Sequence, residues 1–241
     1  MAELVMITGC GHTGTTLLAR MMGVHSKIYN PPHETNLFLA YNSLKWKGLL
    51  ESYYNEGNKE KSDFSILLEK TPRHIWHVDF VKKCVPNTKF ILMTRNGRDV
   101  IASLYERYKD IHASIIRYKD DSLLTLRHTD DSHIILLKYE DLISKPKETL
   151  RKIMLFIGLE YEDEMLNYHE KKVNWFHLKG IKKGSRDEGI GHDNFRNWQV
   201  NQPLFKPSKS WKERIPKSKW NDIEKFFEEE GNEIMRNLGY F

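Results

Sequence analysis

The sequence is poor in cysteine. It has two, Cys10 and Cys84, without the spacing of a metal-ligand set. Cys10 stands inside a glycine-rich stretch, a poor place for a structural disulfide, so a reducing, cytoplasmic setting is expected. Long apolar runs are missing too: no stretch reaches the ~18 residues that a membrane span needs. The N-terminus, MAELVMITG, has no basic region ahead of its short apolar run, and it reads as a first strand instead of a signal peptide. Internal repeats and low-complexity tracts are absent. The formal net charge of +5 suggests an anionic ligand or substrate. The dense, one-faced basic clustering of a nucleic-acid binder is not there, so no nucleic-acid partner is expected.

What is present suits one sizeable α/β domain over residues 1–241, since 39% of the chain is hydrophobic and a real core can form. Apolar, β-branched runs of strand length occur at LVMIT (4–8), SKIYN (26–30), FSILLEK (64–70), KFILMT (89–94) and HIILLKY (133–139). They do not alternate with polar residues, as befits strands buried on both faces of a parallel sheet. Between them lie helix-like segments: TTLLARMMG, IWHVDFVKKC, DVIASLYERY and a stretch from about 110 to 128. This alternation predicts a doubly wound parallel sheet of about five strands. Pro146 and Gly158 bracket a further helix, and KSKWNDIEKFFEEEGNEIMRNLG predicts a packing helix at the C-terminus. The least regular region, 178–214, reads as a lid or binding loop.

One more absence matters most. The stretch TGCGHTGTTLL has the G-x-x-x-x-G spacing of a phosphate-binding Walker loop, but Thr15 stands where the Lys should follow. A strand, a glycine turn and a helix start still make an anion site, because the N–H groups and the helix dipole point at the ligand. Gly9, Gly11 and Gly14 allow close approach, and Thr15 and Thr16 add hydroxyls. An NTPase also needs an acidic residue on a neighbouring strand to hold Mg²⁺, whereas KFILMT ends in Arg95. Asp99 follows one helical turn later. The ligand is therefore expected to be gripped by cations and N–H donors without a metal, which argues against an ATP hydrolase. His74 and His77, three apart, are not read as a metal pair because no third ligand is in view.

TGCGHTGTTLL followed by TRNGRDVIASLY resembles the two nucleotide signatures of the sulfotransferases that use 3′-phosphoadenosine 5′-phosphosulfate (PAPS). The family loop reads G-x-x-[RK]-S-G-T-[TS]-L and binds the 5′-phosphosulfate. Its second signature, R-[ND]-P-x-D with a Ser eight residues after the Arg, binds the 3′-phosphate, and here those positions are Arg95 and Ser103. HETNLF, LLEKTPRHIW and KYEDLISKPKETLRKIMLFIGL also resemble family segments, so the likeness spans most of residues 1–160. The resemblance implies a P-loop-type sulfotransferase fold and transfer of a sulfuryl group from PAPS to a hydroxyl or amine, leaving 3′-phosphoadenosine 5′-phosphate (PAP). It also implies donor contacts from Gly11, His12, Thr13, Gly14, Thr15, Thr16, Arg95 and Ser103. Lys209 and Lys212, with Lys206 and Ser210, would close over the nucleotide.

Two positions depart from the pattern. His12 stands where the family has Lys or Arg, and Gly97 replaces Pro, a change read as harmless. Either protonated His12 neutralises the leaving phosphate, with acid-shifted activity, or another cation does so, for which Lys70 at a strand end is the candidate. Glu34 is the preferred general base and His33 its rival. Residues 35–60 and 160–200, rich in aromatic and basic side chains, are expected to build the acceptor pocket, with a saccharide or small metabolite as acceptor. The alternatives are a P-loop nucleotide or small-molecule kinase and a non-catalytic nucleotide-binding module.

Overall fold

The computed structural model describes residues 2–39, 44–175, 192–205 and 209–241. Strands β1 (Glu3–Gly9), β2 (Ile28–Tyr29), β3 (Ile66–Lys70), β4 (Lys89–Thr94) and β5 (Ile134–Lys138) form one sheet in the order β2-β3-β1-β4-β5. Every pairing is parallel. From β1 the chain runs to the edge strand β2, returns to β3 beside β1 and then crosses to β4 and β5 on the other side, so the C-terminal end of β1 lies at the switch point where open α/β sheets take their ligands. The loop Cys10–Gly14 leaves β1 there and enters α1 (Thr15–Gly23).

The helices that follow are α2 (Trp46–Glu60), α3 (Val78–Cys84), α4 (Gly97–Tyr108), α5 (Ile111–Arg127), α6 (Tyr139–Ser144) and α7 (Pro146–Ile157). Later come α8 (His192–Gln199), α9 (Trp211–Arg214), α10 (Trp220–Phe226) and α11 (Asn232–Asn237). On β1, Val5 and Ile7 pack with Leu18 and Met22 of α1 and Ile153 of α7. Leu4 and Met6 pack on the opposite face with Leu50 of α2 and Val81 of α3. Both faces are covered, which explains the uninterrupted apolar runs. A third cluster joins α4 and α5 to the C-terminal helices through Val100, Tyr118, Phe226, Phe227 and Met235.

The boundaries differ from the sequence expectation in places. Only Ile28 and Tyr29 of SKIYN are strand. Ser26 is drawn away by Glu162, to which its amide and hydroxyl donate, and the Asn30 side chain donates to the Leu68 carbonyl. The run HIILLKY stops at Lys138 because Tyr139 opens α6. IWHVDFVKKC begins as a 3₁₀ turn from Pro72 to His77 before α3. The C-terminal helix is broken by a π turn at Phe227–Gly231. That extra residue lets consecutive Phe226 and Phe227 both reach the third cluster. Helix α7 ends as expected, at Gly158 with φ 82°.

Candidate active site

The loop is held by its own backbone. Gly9 has φ 128°, and a Cβ there would lie 2.5 Å from the Met93 carbonyl oxygen of β4, its register neighbour. Thr13 Oγ1 donates to the Cys10 carbonyl at 2.7 Å, closing the turn. His12 takes φ 69°, a left-handed conformation costly for a side chain of its size. Gly11 has open space around it among the described residues, and none of those demands glycine there. At Gly14, φ is 89° and a Cβ would sit 2.5 Å from the Tyr139 ring. Gly14→Ala is thus expected to cost ~1–3 kcal/mol of stability and to displace Tyr139, which urea unfolding and the NMR resonances of the Tyr139 ring would register together. No side chain caps α1 and no acidic residue lies in its first turn, so its first N–H groups are left for an anion.

Around this loop opens a cavity of about 510 Å³ whose walls include His12, Gly14, Thr16, Arg95 and Ser103. Arg95 is set by the end of β4. Its guanidinium stacks 4.5 Å over the Tyr139 ring, and one amino group reaches the His12 carbonyl at 3.5 Å. Its Nε is buried without a hydrogen-bond partner among the described residues, a vacancy that an incoming anion would fill. Ser103, on the inner face of α4, shares a 2.9 Å hydrogen bond with His12 Nδ1. Thr15 and Thr16 are buried at the start of α1.

Lys209 lines the same cavity. Lys212 turns outward to Glu224 at 3.8 Å and stacks near Trp211 and Trp220, while Lys206 lies outside the described residues, as do 178–191 of the expected lid. Two cations appear that sequence reasoning missed. Arg196 of α8 donates to Thr16 Oγ1 at 3.0 Å. Arg214 of α9 lines the wall but is held by Glu106 through two bonds of 2.9 and 2.8 Å. Neither belongs to a recognisable motif, although WKER and FRNWQ are helix-forming fragments within an irregular region.

Lys70 and Glu34 meet at the end of β3, and neither is among the residues that line the cavity. Lys70 is fully buried, and its Nζ donates to Glu34 Oε1 at 2.7 Å. The Glu34 side chain is 34% exposed. Burial pushes the Lys70 ammonium below its ordinary value; Glu34 opposes that, and Arg196 adds to it. The Trp175 ring lies 5.6 Å from Nζ. His33 instead pairs with the Tyr53 hydroxyl of α2 at 3.1 Å. The aromatic residues of 46–54, expected around an acceptor, pack largely against the sheet: Trp46, Tyr53 and Tyr54 join Leu50 in its cluster. His74 faces Glu69, and no group of three or more potential metal ligands occurs among the described residues.

Gly97 is not interchangeable with proline. A Cβ there would lie 2.4 Å from the Tyr118 phenol and 2.8 Å from the Phe227 ring, and its N–H donates to Met235 Sδ at 3.2 Å. The departure at this position follows from packing, which the sequence reading did not foresee.

A family model described as "Sulfotransferase family" matches residues 43–163, half of the chain. The chain belongs to the sulfotransferase family. Among its curated relatives, a putative protein-tyrosine sulfotransferase of Caenorhabditis briggsae is 26% identical over 198 residues, covering 70% of each chain. An uncharacterized protein of Aquifex aeolicus is 22% identical over 75% of this chain, and the Drosophila melanogaster protein-tyrosine sulfotransferase is 26% identical over 76%. This chain spans only 29% and 44% of those two proteins. Mouse sulfotransferase SULT7A1 complexed with PAP superposes with a TM-score of 0.61 at 14% identity, covering 98% of this chain and 88% of the other. The sulfotransferase domain from the curacin biosynthetic pathway gives 0.59 at 15% identity, with 100% and 99% covered. Identities this low speak for the sulfotransferase fold. No described helix is long and apolar enough to cross a membrane.

Proposed function

We propose that this sulfotransferase-family protein transfers the sulfuryl group of PAPS to a hydroxyl, or an amine, of an acceptor. The observation that carries the reading is the pairing of two anion sites on one cavity. One is the uncapped start of α1 behind a loop with Thr15 in the Walker lysine position. The other is Arg95, whose buried Nε lacks a partner among the described residues, beside Ser103. A donor with phosphate at both ends of its ribose fits that division; a linear triphosphate does not.

PAPS supplies an activated sulfuryl group on a phosphate leaving group. On the protein's side, Glu34 accepts the proton of the acceptor hydroxyl as its oxygen bonds to sulfur and the bond from sulfur to the bridging oxygen breaks. Its position against Lys70 supports Glu34 over His33, which is turned to Tyr53. His12 and Arg196 on the cavity wall, with Lys70 buried behind it and coupled electrostatically to Arg196, oppose the charge gathering on the leaving phosphate, so β3 and α8 stand in for the loop's missing cation. Names of curated relatives make the tyrosyl phenol a prime acceptor to test, beside saccharides and small hydroxylated metabolites.

Calorimetric titration with PAP, in parallel with Mg²⁺ and ATP, tests the donor. Metal-independent PAP binding in the micromolar range or tighter is expected, followed by label transfer from [³⁵S]PAPS in an acceptor panel. Preference for ATP with Mg²⁺ would overturn the reading in favour of a kinase.

A further inference from the structure

Adjacent residues of β3 grip the segment 34–38 from two sides. Lys70 takes Glu34 on one side. On the other, Glu69, only 1% exposed, gathers three donors: Thr35 Oγ1 at 2.8 Å, Thr71 Oγ1 at 2.5 Å and His74 Nδ1 at 2.9 Å. Each partner then holds backbone of the same segment. Thr35 Oγ1 accepts from the Leu37 amide, Thr71 Oγ1 from the Asn36 amide, and His74 Nε2 from the Phe38 amide. Because His74 Nε2 accepts from the Phe38 amide, it is Nδ1 that donates to Glu69. Asn36 sits at φ 54° and its side chain donates to the Glu34 carbonyl, a conformation that needs such support.

We propose that Glu69, acting through Thr35, Thr71 and His74, is a positioning residue that fixes the segment 34–38 so that the Glu34 carboxylate is held against Lys70. The role rests on the reading of Glu34 as general base. Burial pushes the Glu69 carboxyl up, but the His74 ring and the Thr71 and Thr35 hydroxyls outweigh it and hold the group below the ordinary carboxylate range. Glu69 is therefore a fixed negative charge at neutral pH. Among the groups around Lys70, Glu34 and Glu69 favour its ammonium and Arg196 disfavours it, so Glu69 both places the base and supports the charge of its partner.

The test uses Glu69→Gln, with His74→Asn as the conservative variant that keeps a donor at the Nδ1 position, and Glu34→Gln in parallel. Two readouts need no known acceptor: amide hydrogen exchange at Asn36, Leu37 and Phe38, and ¹⁵N-detected titration of Lys70 Nζ. In Glu69→Gln, exchange at those amides is expected to rise about tenfold or more, and the Lys70 midpoint to fall, since a supporting negative charge is gone. Simple loosening of the fold would do the opposite, admitting water to Lys70 and raising its midpoint toward 10.5. With [³⁵S]PAPS and a tyrosine-containing peptide, kcat is expected to drop about 30-fold with the donor KM within about twofold, because misplacement costs turnover more than binding. His74→Asn, with Glu69 intact, should retain most of the parent's kcat, with faster exchange confined to Phe38, whose acceptor it removes. An unchanged or raised Lys70 midpoint, or unaltered exchange, overturns the proposal. If Glu34→Gln retains full turnover while the two acceptor-independent readouts respond as expected, the base assignment fails and the positioning of residue 34 stands.

Discussion

Lys70→Met is expected to yield a folded protein, at least as stable as the parent at neutral pH, whose sulfuryl transfer falls ~10²–10³-fold. Lys70 is fully buried, with Glu34 as its carboxylate partner. Burial is the largest influence on it and lowers its proton affinity below the ordinary 10.5. The unfolded chain therefore binds more protons between the folded value and 10.5, and stability rises with pH through that window. Below the window the charged lysine destabilises the native state. A methionine of similar length removes that cost, and Glu34, one-third exposed, turns to water. Removing one partner of a fully buried pair costs about 3–5 kcal/mol, but here the carboxylate left behind is not fully buried. Thermal melts of both proteins from pH 7 to 10 should show their difference narrowing as pH rises, with activity lost throughout. A variant that melts well below the parent at every pH would make Lys70 a structural residue and remove it from the reaction.

The contrast between Lys70 and Arg196 illustrates what a sequence reveals of such a site. Lys70 closes an apolar strand-length run, so its place at a strand's C-terminal end could be read from FSILLEK alone. The same holds for Arg95 after KFILMT, where strand and boundary agree with β4 (Lys89–Thr94). Arg196 lies about 100 residues beyond Arg95 in a scatter of Gly, Lys, Arg and Asn. Only packing of α8 over the loop brings it to Thr16, and no local spacing encodes that. Helix α2 is a different case, since its signal was present. Trp46, Leu49, Leu50, Tyr53, Tyr54 and Gly57 recur at helical intervals, and they meet Phe64, Leu67 and the sheet. Reading those aromatics as pocket lining obscured their period. Glu69 was hidden for yet another reason: a lone carboxylate in a buried strand gives no hint of its partners until residues 35, 71 and 74 converge on it.

Arg95→Ala should weaken PAP binding at least about 100-fold, the other large effect expected. Charge-assisted bonds to phosphate contribute about 1.5–3 kcal/mol each, and a guanidinium offers two at once. Stacking on Tyr139 at 4.5 Å, with one amino group anchored at the His12 carbonyl, leaves the fork pre-oriented, so little ordering entropy opposes binding. The free protein, by contrast, gains little from this side chain. Its Nε has no partner among the described residues, and Asp99 stands off at 4.0 Å, so the unfolding free energy should change by less than about 1 kcal/mol. Arg95→Lys keeps the charge but loses the planar fork and most of the stacking, and should recover only part of the affinity. Calorimetry at several salt concentrations separates these contributions, because the alanine variant should also lose salt dependence. PAP binding that is indifferent to Arg95 would place the ribose phosphate elsewhere and leave this half-buried guanidinium without a ligand.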